Sequence, residues 1–309
     1  MRILELPAIR QGLVYSEIIA LMRDALTAQS RGECDTPMPM HLDIAAQRAE
    51  VHMKSSYRRG GRYFALKFAS SFPGNVACGL PTGNGMMLLA SAETGEPVAL
   101  LADNGHLTDV RTAAVSAMVA HALGRQDRTL GILGTGIQAR LQAQMHAEIL
   151  PLDRILIWGR NPGRAAECRR DIAALLPHLA VSVATSPAEL AGQTHLIVTC
   201  TAARAPLLFA ADVRAGTHIC AVGSDGPGKQ ELEPAILARA HLLLADSRRQ
   251  CETLGELQHA PSEWERAREI GEFCAAASPI PPDAVTVCDC TGLGVEDLYI
   301  AESCYERSL

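Results

Sequence analysis

The sequence lacks several features that would place it in large classes of protein. It has no excess of positive charge, since 28 Lys and Arg face 34 Asp and Glu for a net charge of −6, which argues against a nucleic-acid or membrane-surface partner. It has no uninterrupted apolar run near the ~18 residues that a membrane span requires. Its opening, MRILELPAIRQG, has no basic segment followed by an apolar stretch, so we expect a cytoplasmic protein.

The sequence also lacks the cysteine spacing of a metal site, although it contains ten cysteines. Only Cys288 and Cys290 lie close together, as C-x-C, and this is not a zinc pattern. Several cysteines lie within apolar runs (TCTAA, HICAVG and TVCDC), where a thiol behaves as a small buried hydrophobic side chain. We therefore predict reduced thiols and no bound metal.

A glycine-rich turn, TLGILGTGIQARL, begins at Thr129. A short apolar strand pattern ends there, and the candidate cofactor-binding residues follow it: Gly134, Thr135, Gly136, Ile137 and Gln138. In a dinucleotide-binding turn the first glycine makes the tight bend, the second lets the backbone approach a pyrophosphate, and the N–H groups of the next helix face that anion. A second buried-strand pattern, RILIWGRN, follows the helix. The sequence therefore predicts a nicotinamide nucleotide site rather than a plain glycine-rich turn.

The end of this second strand indicates which nucleotide binds. Enzymes selective for NAD usually place an acid there to bind the ribose 2′-OH, whereas NADP sites avoid the acid and place an Arg nearby. This sequence has Gly159, Arg160 and Asn161 at that point, with Arg164 one helical turn later. The planar guanidinium of Arg160 could pair with a 2′-phosphate, although an ordinary solvated surface residue is the alternative. We predict NADP(H) as the preferred cofactor, with NAD(H) possible.

The pattern along the chain predicts an α/β protein of two domains, because 309 residues exceed the usual size of one. After an early helix at 15–29, strand patterns such as RYFALKFASSF, GMMLLASA and PVALLAD indicate an antiparallel sheet. A helical periodicity covers 107–121. Short apolar strands then alternate with helices, as in a Rossmann-type doubly wound parallel sheet, at about 129–134, 154–158, 180–184, 195–200, 217–223 and 241–245. The tail returns to a strand and a helix that could rejoin the first domain.

Two basic residues before the glycine turn are candidates for binding an anion. Lys67 interrupts an apolar strand pattern, where alternation places it on the same face as Ala65 and Ala69. We expect bulk around it from Phe64, Leu66 and Phe68. Arg111 lies in LTDVRTAAVSA, a predicted helix start with Thr108 as N-cap, where small neighbours leave room for a ligand carboxylate. For either residue, a structural salt bridge is the alternative, because a buried cation must be paired.

Asp225 is the candidate acid for proton transfer to a substrate nitrogen. It lies in AVGSDGPGKQEL, just beyond the carboxyl end of a predicted parallel strand, and ligands of open α/β sheets bind at that edge. An ordinary turn residue is the alternative.

Together, LKFASSF, LTDVRTAAVSA, ILGTGIQA, AVGSDGPGKQEL and DCTGLGVEDL resemble the ornithine cyclodeaminase/mu-crystallin family, in the family's order and over nearly the whole chain. The resemblance implies a homodimer. It implies an α+β dimerisation and substrate domain of residues 1–112 and 288–309, and a Rossmann domain of residues 113–287. It further implies that Lys67 and Arg111 hold an amino-acid carboxylate, that Asp225 handles the proton at nitrogen, and that residues 135–138 bind the cofactor.

Further site candidates follow from the same resemblance, with two departures from it. Thr82 occupies a place where the family often has a small hydroxyl residue near the substrate. The remaining cofactor candidates are Thr199, Thr201, Val222, Gly223 and Gly292. Many members carry a carboxylate-binding Arg after a Pro in the first domain, but TPMPMHLDI offers only Met40 and His41 here. His41 or Lys54 could substitute, although an exposed Lys54 is the more common outcome. Mu-crystallin-like reductases also usually lack the Asp found at 225, whereas cyclodeaminases carry an acid in place of Gly159-Arg160.

The resemblance implies an enzyme with one chemistry that can run in different directions. We predict NAD(P)-dependent reduction of a cyclic imine carboxylate, such as pyrroline-2-carboxylate, to an amino acid. The alternatives are an ornithine cyclodeaminase that uses catalytic NAD⁺, a related amino-acid dehydrogenase, and a non-enzymatic binding protein of the crystallin type. We also expect Arg111→Ala to lose activity with the fold intact.

Overall fold

The computed structural model describes residues 1–276 and 279–309. The chain forms two compact units: Met1–Arg111 together with Leu293–Leu309, and Thr112–Gly292. The predicted second domain includes Ala277 and Ser278, which lie outside the described residues. Within the described part of the chain, no helix is long and apolar enough to cross a membrane.

The strands are β1 (Arg2–Glu5), β2 (Cys34–Asp35), β3 (Met40–Ile44), β4 (Ala49–Arg58), β5 (Tyr63–Ser71), β6 (Gly83–Ser91), β7 (Pro97–Ala102), β8 (Thr129–Leu133), β9 (Arg154–Trp158), β10 (Ala180–Val183), β11 (Leu196–Thr199), β12 (Arg204–Leu208), β13 (His218–Ala221), β14 (Gln230–Leu232), β15 (Leu242–Ala245), β16 (Arg268–Glu269) and β17 (Thr286–Asp289). The helices are α1 (Leu6–Gln11), α2 (Tyr15–Ser30), α3 (His106–Ala122), α4 (Ile137–Ile149), α5 (Pro162–Leu175), α6 (Pro187–Gln193), α7 (Pro234–Arg239), α8 (Arg248–Leu254), α9 (Ile270–Ala275) and α10 (Gly294–Arg307).

The first unit is built on a seven-stranded sheet of order β1-β7-β6-β5-β4-β2, with β3 also paired to β4. The pairs among β2 to β7 are antiparallel, as predicted, and β1 joins β7 in parallel. Register places Ser56, Ala65 and Leu89 on one face, which is buried. Helix α10 packs on β4, β5 and β6. Helix α10 therefore covers this face, and α2 packs on α10.

The opposite face of the same sheet carries two rows of apolar side chains, which we call the apolar sheet face. Cross-strand partners form the first row: Met40, Met53, Phe68 and Met86. The second row is Ile3, Leu100, Leu88 and Leu66. Several of these side chains are exposed, among them Phe68 at 38% and Met86 at 45%. Burial on one side and apolar exposure on the other is the pattern of a sheet that packs on both faces.

The second unit is a Rossmann-type sheet of order β10-β9-β8-β11-β13-β17-β15-β16, in which every pair is parallel. The six predicted parallel strands are confirmed as β8, β9, β10, β11, β13 and β15. We had expected the tail strand to rejoin the first domain. It does not, because β17 pairs with β13 and β15 of the second unit. All four of its residues are buried, which suits an interior strand covered on both faces. The predicted boundary at residue 288 falls inside this strand.

The start of α3 also differs from the prediction. The helix begins at His106, and the carboxylate of Asp103 accepts a hydrogen bond of 2.6 Å from the N–H of Leu107. Asp103 is therefore the capping side chain, and Thr108 lies within the first turn. The turn before the helix uses left-handed backbone at Asn104 and Gly105, with φ of 55° and 83°. The helix therefore begins three residues before Asp109, where an N-cap at Thr108 would place its first residue.

Candidate functional site

A buried cluster of opposite charges lies beneath α10 in the first unit. The Nζ atom of Lys67 is 3.2 Å from Oδ2 of Asp297. Arg111 contacts two acids, with Nη1 2.9 Å from Oε2 of Glu296 and Nε 3.2 Å from Oδ1 of Asp297. All four residues are at most 4% exposed. The structural salt bridge that the sequence left open for Lys67 and Arg111 is therefore present, and both acids come from α10.

Local backbone geometry brings the start of α10 against the sheet. Gly294 opens the helix, and a Cβ atom there would lie 2.4 Å from the carbonyl oxygen of Ser55 on β4. Only a glycine permits this approach. Oε1 of Glu296 accepts a hydrogen bond of 2.9 Å from the N–H of Leu293, while Oε2 faces Arg111. The helix start thus fixes both carboxylates opposite the cations.

Lys54 adds a third cation to this cluster. It is the direct cross-strand partner of Lys67 between β4 and β5. We had expected Lys54 to be exposed, but it is buried. The reason is that register places it on the face covered by α10. Three basic side chains thus lie together in one buried cluster. Such a concentration of cations suits an anionic ligand.

The protonation of these groups follows from their burial. Burial, together with the nearby cations Lys54 and Arg111, outweighs the attraction of Asp297 and lowers the pKa of Lys67 to about 7. Burial opposes ionisation of Asp297, but Lys67, Arg111 and Lys54 outweigh it and hold the pKa of that carboxyl below its usual value. Lys67 can therefore change its charge near neutral pH, whereas Asp297 stays ionised.

The surroundings of Lys67 differ from our expectation in one respect. Ala65 shares its face and is buried, as alternation requires. Leu66 and Phe68 do not surround Lys67, because they point to the apolar sheet face and are 43% and 38% exposed. Phe64 alternates with them on that side. The bulk around Lys67 comes instead from buried Met87, its partner on β6, and from α10.

Two other substrate candidates lie in the same unit. Thr82 is exposed and directly precedes β6, and its carbonyl accepts a hydrogen bond of 2.7 Å from the N–H of Phe72. His41 lies on β3 opposite His52 of β4, which is in turn opposite Ala69. Because directly paired residues share a face, His41 and His52 lie on the same side of the sheet as Lys67.

The glycine turn of the second unit fits a dinucleotide. Gly134 has φ of 146°, and a Cβ atom there would lie 2.5 Å from Sγ of Cys200. Gly136 is the N-cap of the thirteen-residue helix α4, and the space where its Cβ would lie is open to 4 Å. A helix N-terminus with an open glycine suits a pyrophosphate. A Cβ atom at Gly159 would lie only 2.2 Å from Cγ2 of Thr135, so the two residues are packed closely together.

A buried acid that we did not predict holds three of the other cofactor candidates. Glu231 accepts hydrogen bonds from Oγ1 of Thr199 (2.7 Å), from the N–H of Thr201 (2.6 Å) and from the N–H of Gly223 (3.0 Å). Burial raises the pKa of Glu231 to about 7. Val222 lies beside the end of β11, because its N–H donates a hydrogen bond of 2.9 Å to the carbonyl of Thr199. Glu231 thus orders the ends of two neighbouring strands.

The other predicted cofactor residues lie elsewhere in this unit. The side chain of Asn161 caps α5, accepting a hydrogen bond of 3.1 Å from the N–H of Arg164. Arg160 and Arg164 are both exposed. Gly292 has φ of 73°, and its N–H donates to Oδ2 of Asp246 at 2.6 Å.

Asp225 has a basic partner that the sequence analysis overlooked. Nζ of Lys229 lies 2.7 Å from Oδ1 of Asp225, whose side chain is 44% exposed while that of Lys229 is 9% exposed. The ammonium favours the ionised carboxylate. The two residues lie four apart in a loop rather than on a helix, so no spacing rule in the sequence identified this pair.

Three scattered cysteines meet in the core of the second unit. The sulfur atoms of Cys220, Cys288 and Cys290 lie within 4.8 Å of one another, and the last two are 3.4 Å apart. The prediction of buried thiols holds for all three. Sequence spacing missed the cluster because β13 and β17 are far apart in the chain yet paired in register. Any ion there would have to enter a packed core.

Comparison with known proteins agrees with a Rossmann-fold oxidoreductase. The sequence profile of the Ornithine cyclodeaminase/mu-crystallin family matches residues 3–309, so the chain belongs to this family, as the motifs predicted. The "Uncharacterized cyclodeaminase y4tK" of Sinorhizobium fredii is 40% identical over 88% of this chain and 84% of its own. The alanine dehydrogenase of Archaeoglobus fulgidus is 30% identical over 95% of this chain and 90% of its own.

Solved structures show the same fold. The Δ1-pyrroline-2-carboxylate reductase of Thermococcus litoralis, in complex with NADH and L-proline, superposes with a TM-score of 0.93 at 24% identity, covering 100% of this chain and 97% of that one. The iminosuccinate reductase of Paracoccus denitrificans, in complex with NAD⁺, gives 0.89 at 27% identity, covering 99% and 95%. The chain is thus an enzyme, and the non-enzymatic alternative is set aside.

Proposed function

We propose that the protein reduces the C=N bond of an α-imino carboxylate to an amino acid, with Δ1-pyrroline-2-carboxylate as the first substrate to test. The observation that carries this proposal is the buried cluster that brings Lys54, Lys67 and Arg111 together in the first unit. A substrate carboxylate would pair with these basic side chains. The relatives that act on imines or α-amino acids support the same class of substrate.

The glycine turn supports the cofactor. Gly136 and the first amides of α4 would hold the pyrophosphate, and Glu231 would keep the ends of β11 and β13 in place. When bound, a reduced nicotinamide supplies the hydride that adds to the imine carbon. The protein's own contribution is then to orient the carboxylate through Lys67 and Arg111 and to stabilise the positive charge on the imine nitrogen.

Asp225 is suited to that last task. Its ionised carboxylate, paired with Lys229, would stabilise a protonated imine nitrogen better than it would donate a proton. Its presence also keeps an ornithine cyclodeaminase as the second candidate, because the family's cyclodeaminases resemble this chain at that position. A solved lysine cyclodeaminase, which is 30% identical to this chain with a TM-score of 0.89, supports that alternative.

The first test is an assay of purified protein with Δ1-pyrroline-2-carboxylate, with NADPH and NADH in parallel. Consumption of reduced cofactor with formation of proline supports the reductase. Formation of ammonia and proline from ornithine with catalytic NAD⁺, without net consumption of cofactor, would identify the cyclodeaminase instead. Iminosuccinate, and pyruvate with ammonia, extend the assay to open-chain imines.

We infer a preference for NADPH from Gly159 and Arg160. Arg160→Glu is expected to lower kcat/KM for NADPH by about 10–100-fold, since a charge-assisted hydrogen bond contributes ~1.5–3 kcal/mol. The value for NADH should change little. Arg170→Glu, at another exposed arginine of the same unit, is the matched control for the change of charge. Equal losses with both cofactors would contradict the role of Arg160.

We also propose that the chain forms a homodimer through the apolar sheet face. Phe68→Glu places a charge in the middle of its first row, and we expect the dimer to dissociate to monomers in analytical ultracentrifugation. Val183→Glu is the control, because Val183 is equally exposed, at 39%, on a strand of the second unit. A Phe68→Glu protein that stays dimeric would place the interface elsewhere.

A further inference from the structure

A cluster of three metal-ligating side chains lies on β3 and β4, apart from the ion pairs of Lys67 and Arg111. His41, His52 and Glu50 each offer one ligand atom, and these atoms lie within 4.8 Å of one another. The sheet fixes their positions, because His41 is the direct cross-strand partner of His52, and Glu50 is the partner of Asp43. The two imidazole rings meet edge to face with centroids 4.7 Å apart.

Each of the two imidazoles has one buried ring nitrogen without a hydrogen bond in the described part of the chain. Nε2 of His41 lies 3.1 Å from Oδ1 of Asp43, and it can donate its proton to that carboxylate. Nδ1 of His41 and Nε2 of His52 are both buried, and neither has a hydrogen-bond partner within residues 1–276 and 279–309. Buried ring nitrogens without a partner are costly, and they therefore point to a missing ligand.

A cation suits these atoms better than an anion. Oε2 of Glu50 is 3.8 Å from Nε2 of His52, a separation that is long for a hydrogen bond. It would repel an added carboxylate or phosphate, whereas two neutral imidazoles and one carboxylate are a common ligand set for divalent transition metals. The bond from His41 to Asp43 matches the carboxylate that commonly orients a ligating histidine.

We propose that His41, His52 and Glu50 bind a divalent transition-metal ion of the Zn²⁺ class, with Asp43 as the orienting group for His41. Three protein ligands would leave at least one coordination position for water or a small anion. The side chains of His41, Glu50 and His52 are 12–20% exposed and that of Asp43 is 75% exposed, so the cluster lies close to the surface although its ring nitrogens are buried. This site does not depend on the proposed imine reduction.

The test is calorimetric titration of chelator-treated protein with Zn²⁺, with Co²⁺ absorption as a second measurement. We expect one Zn²⁺ per chain that is lost in His52→Gln, and a Co²⁺ spectrum without thiolate charge-transfer bands. Asp43→Asn should weaken binding by about 10–100-fold, which is the usual effect of removing an orienting carboxylate. His178→Gln, at an exposed histidine of the second unit, is the control and should bind as the unaltered chain does.

Several outcomes would overturn the site. Absence of Zn²⁺ binding would do so, as would binding that is unchanged in His52→Gln. Thiolate bands in the Co²⁺ spectrum would assign the ion to Cys220, Cys288 and Cys290 instead. Circular dichroism of His52→Gln separates loss of a ligand from loss of the fold. Because no measurement uses turnover, failure of the imine-reduction assay leaves this test unaffected.

Discussion

Lys67→Met is expected to lower kcat/KM for Δ1-pyrroline-2-carboxylate by about 10²-fold or more, because removal of one partner from a buried charge pair with a ligand costs ~2–5 kcal/mol. Arg111 would remain to hold the substrate carboxylate and Asp297, so we expect the loss mainly in KM. Met has nearly the volume of the Lys stem, but the change leaves Oδ2 of buried Asp297 without the ammonium 3.2 Å away, so we also expect a lower melting temperature. The kinetics are therefore measured well below the unfolding transition of the variant.

The pH profile distinguishes a binding role from a packing role. The pKa of Lys67 is lowered to about 7, and a carboxylate ligand binds the protonated ammonium. The KM of the unaltered enzyme should therefore rise as the pH increases above about 7, by up to ~10-fold per unit. The Lys67→Met protein should lose this part of the profile. A profile that persists in the variant would show that another group is responsible, since Lys54, Arg111, Glu296 and Asp297 share this environment.

Arg111→Ala is expected to destabilise the first unit by ~3–5 kcal/mol, the usual cost of leaving buried charges without their partner. The change removes the guanidinium from both Glu296 and Asp297, each 1% exposed. Our expectation that this variant keeps its fold intact therefore needs revision: the structure argues for a loss of stability as well as of activity. Urea denaturation, followed by far-UV circular dichroism, measures this change in the free energy of unfolding.

The matched control is Arg58→Ala. Arg58 also pairs with a glutamate in the first unit, at 3.3 Å from Oε2 of Glu33, but these side chains are 52% and 40% exposed. Exposed pairs contribute ~0–1 kcal/mol, so the two Arg→Ala changes should differ several-fold in their effect. If both variants unfold at the same urea concentration as the unaltered chain, the buried network is not needed for stability.

Local pattern was sufficient for much of this molecule. The glycine turn, the alternating strands and helices of the second unit, and the burial of Lys67 all follow from residues that are neighbours in the sequence. The partners of the cations did not follow in the same way. Glu296 and Asp297 lie 185 and 186 residues after Arg111, and no spacing rule connects such distant groups.

The same limit applies to the second unit and to the strand register. Glu231 organises Thr199, Thr201 and Gly223, but a Glu between Gln230 and Leu232 reads from the sequence as an ordinary strand residue. His52 joins His41 only because β3 and β4 pair with one particular register. Hydrophobic periodicity predicts that strands exist, but it does not determine which side chains face each other across them.

The position of α10 in the chain has a consequence for synthesis. The cations of the first unit are translated early, whereas Glu296 and Asp297 follow β17, the last strand of the parallel sheet. A nascent chain can therefore complete the whole nucleotide-binding unit while Lys67 and Arg111 still lack their counterions. In an unfinished chain that ends before residue 296, burial of Lys67 and Arg111 would not be compensated by Glu296 and Asp297. We therefore expect the first unit to complete its fold only after these two acids have been translated.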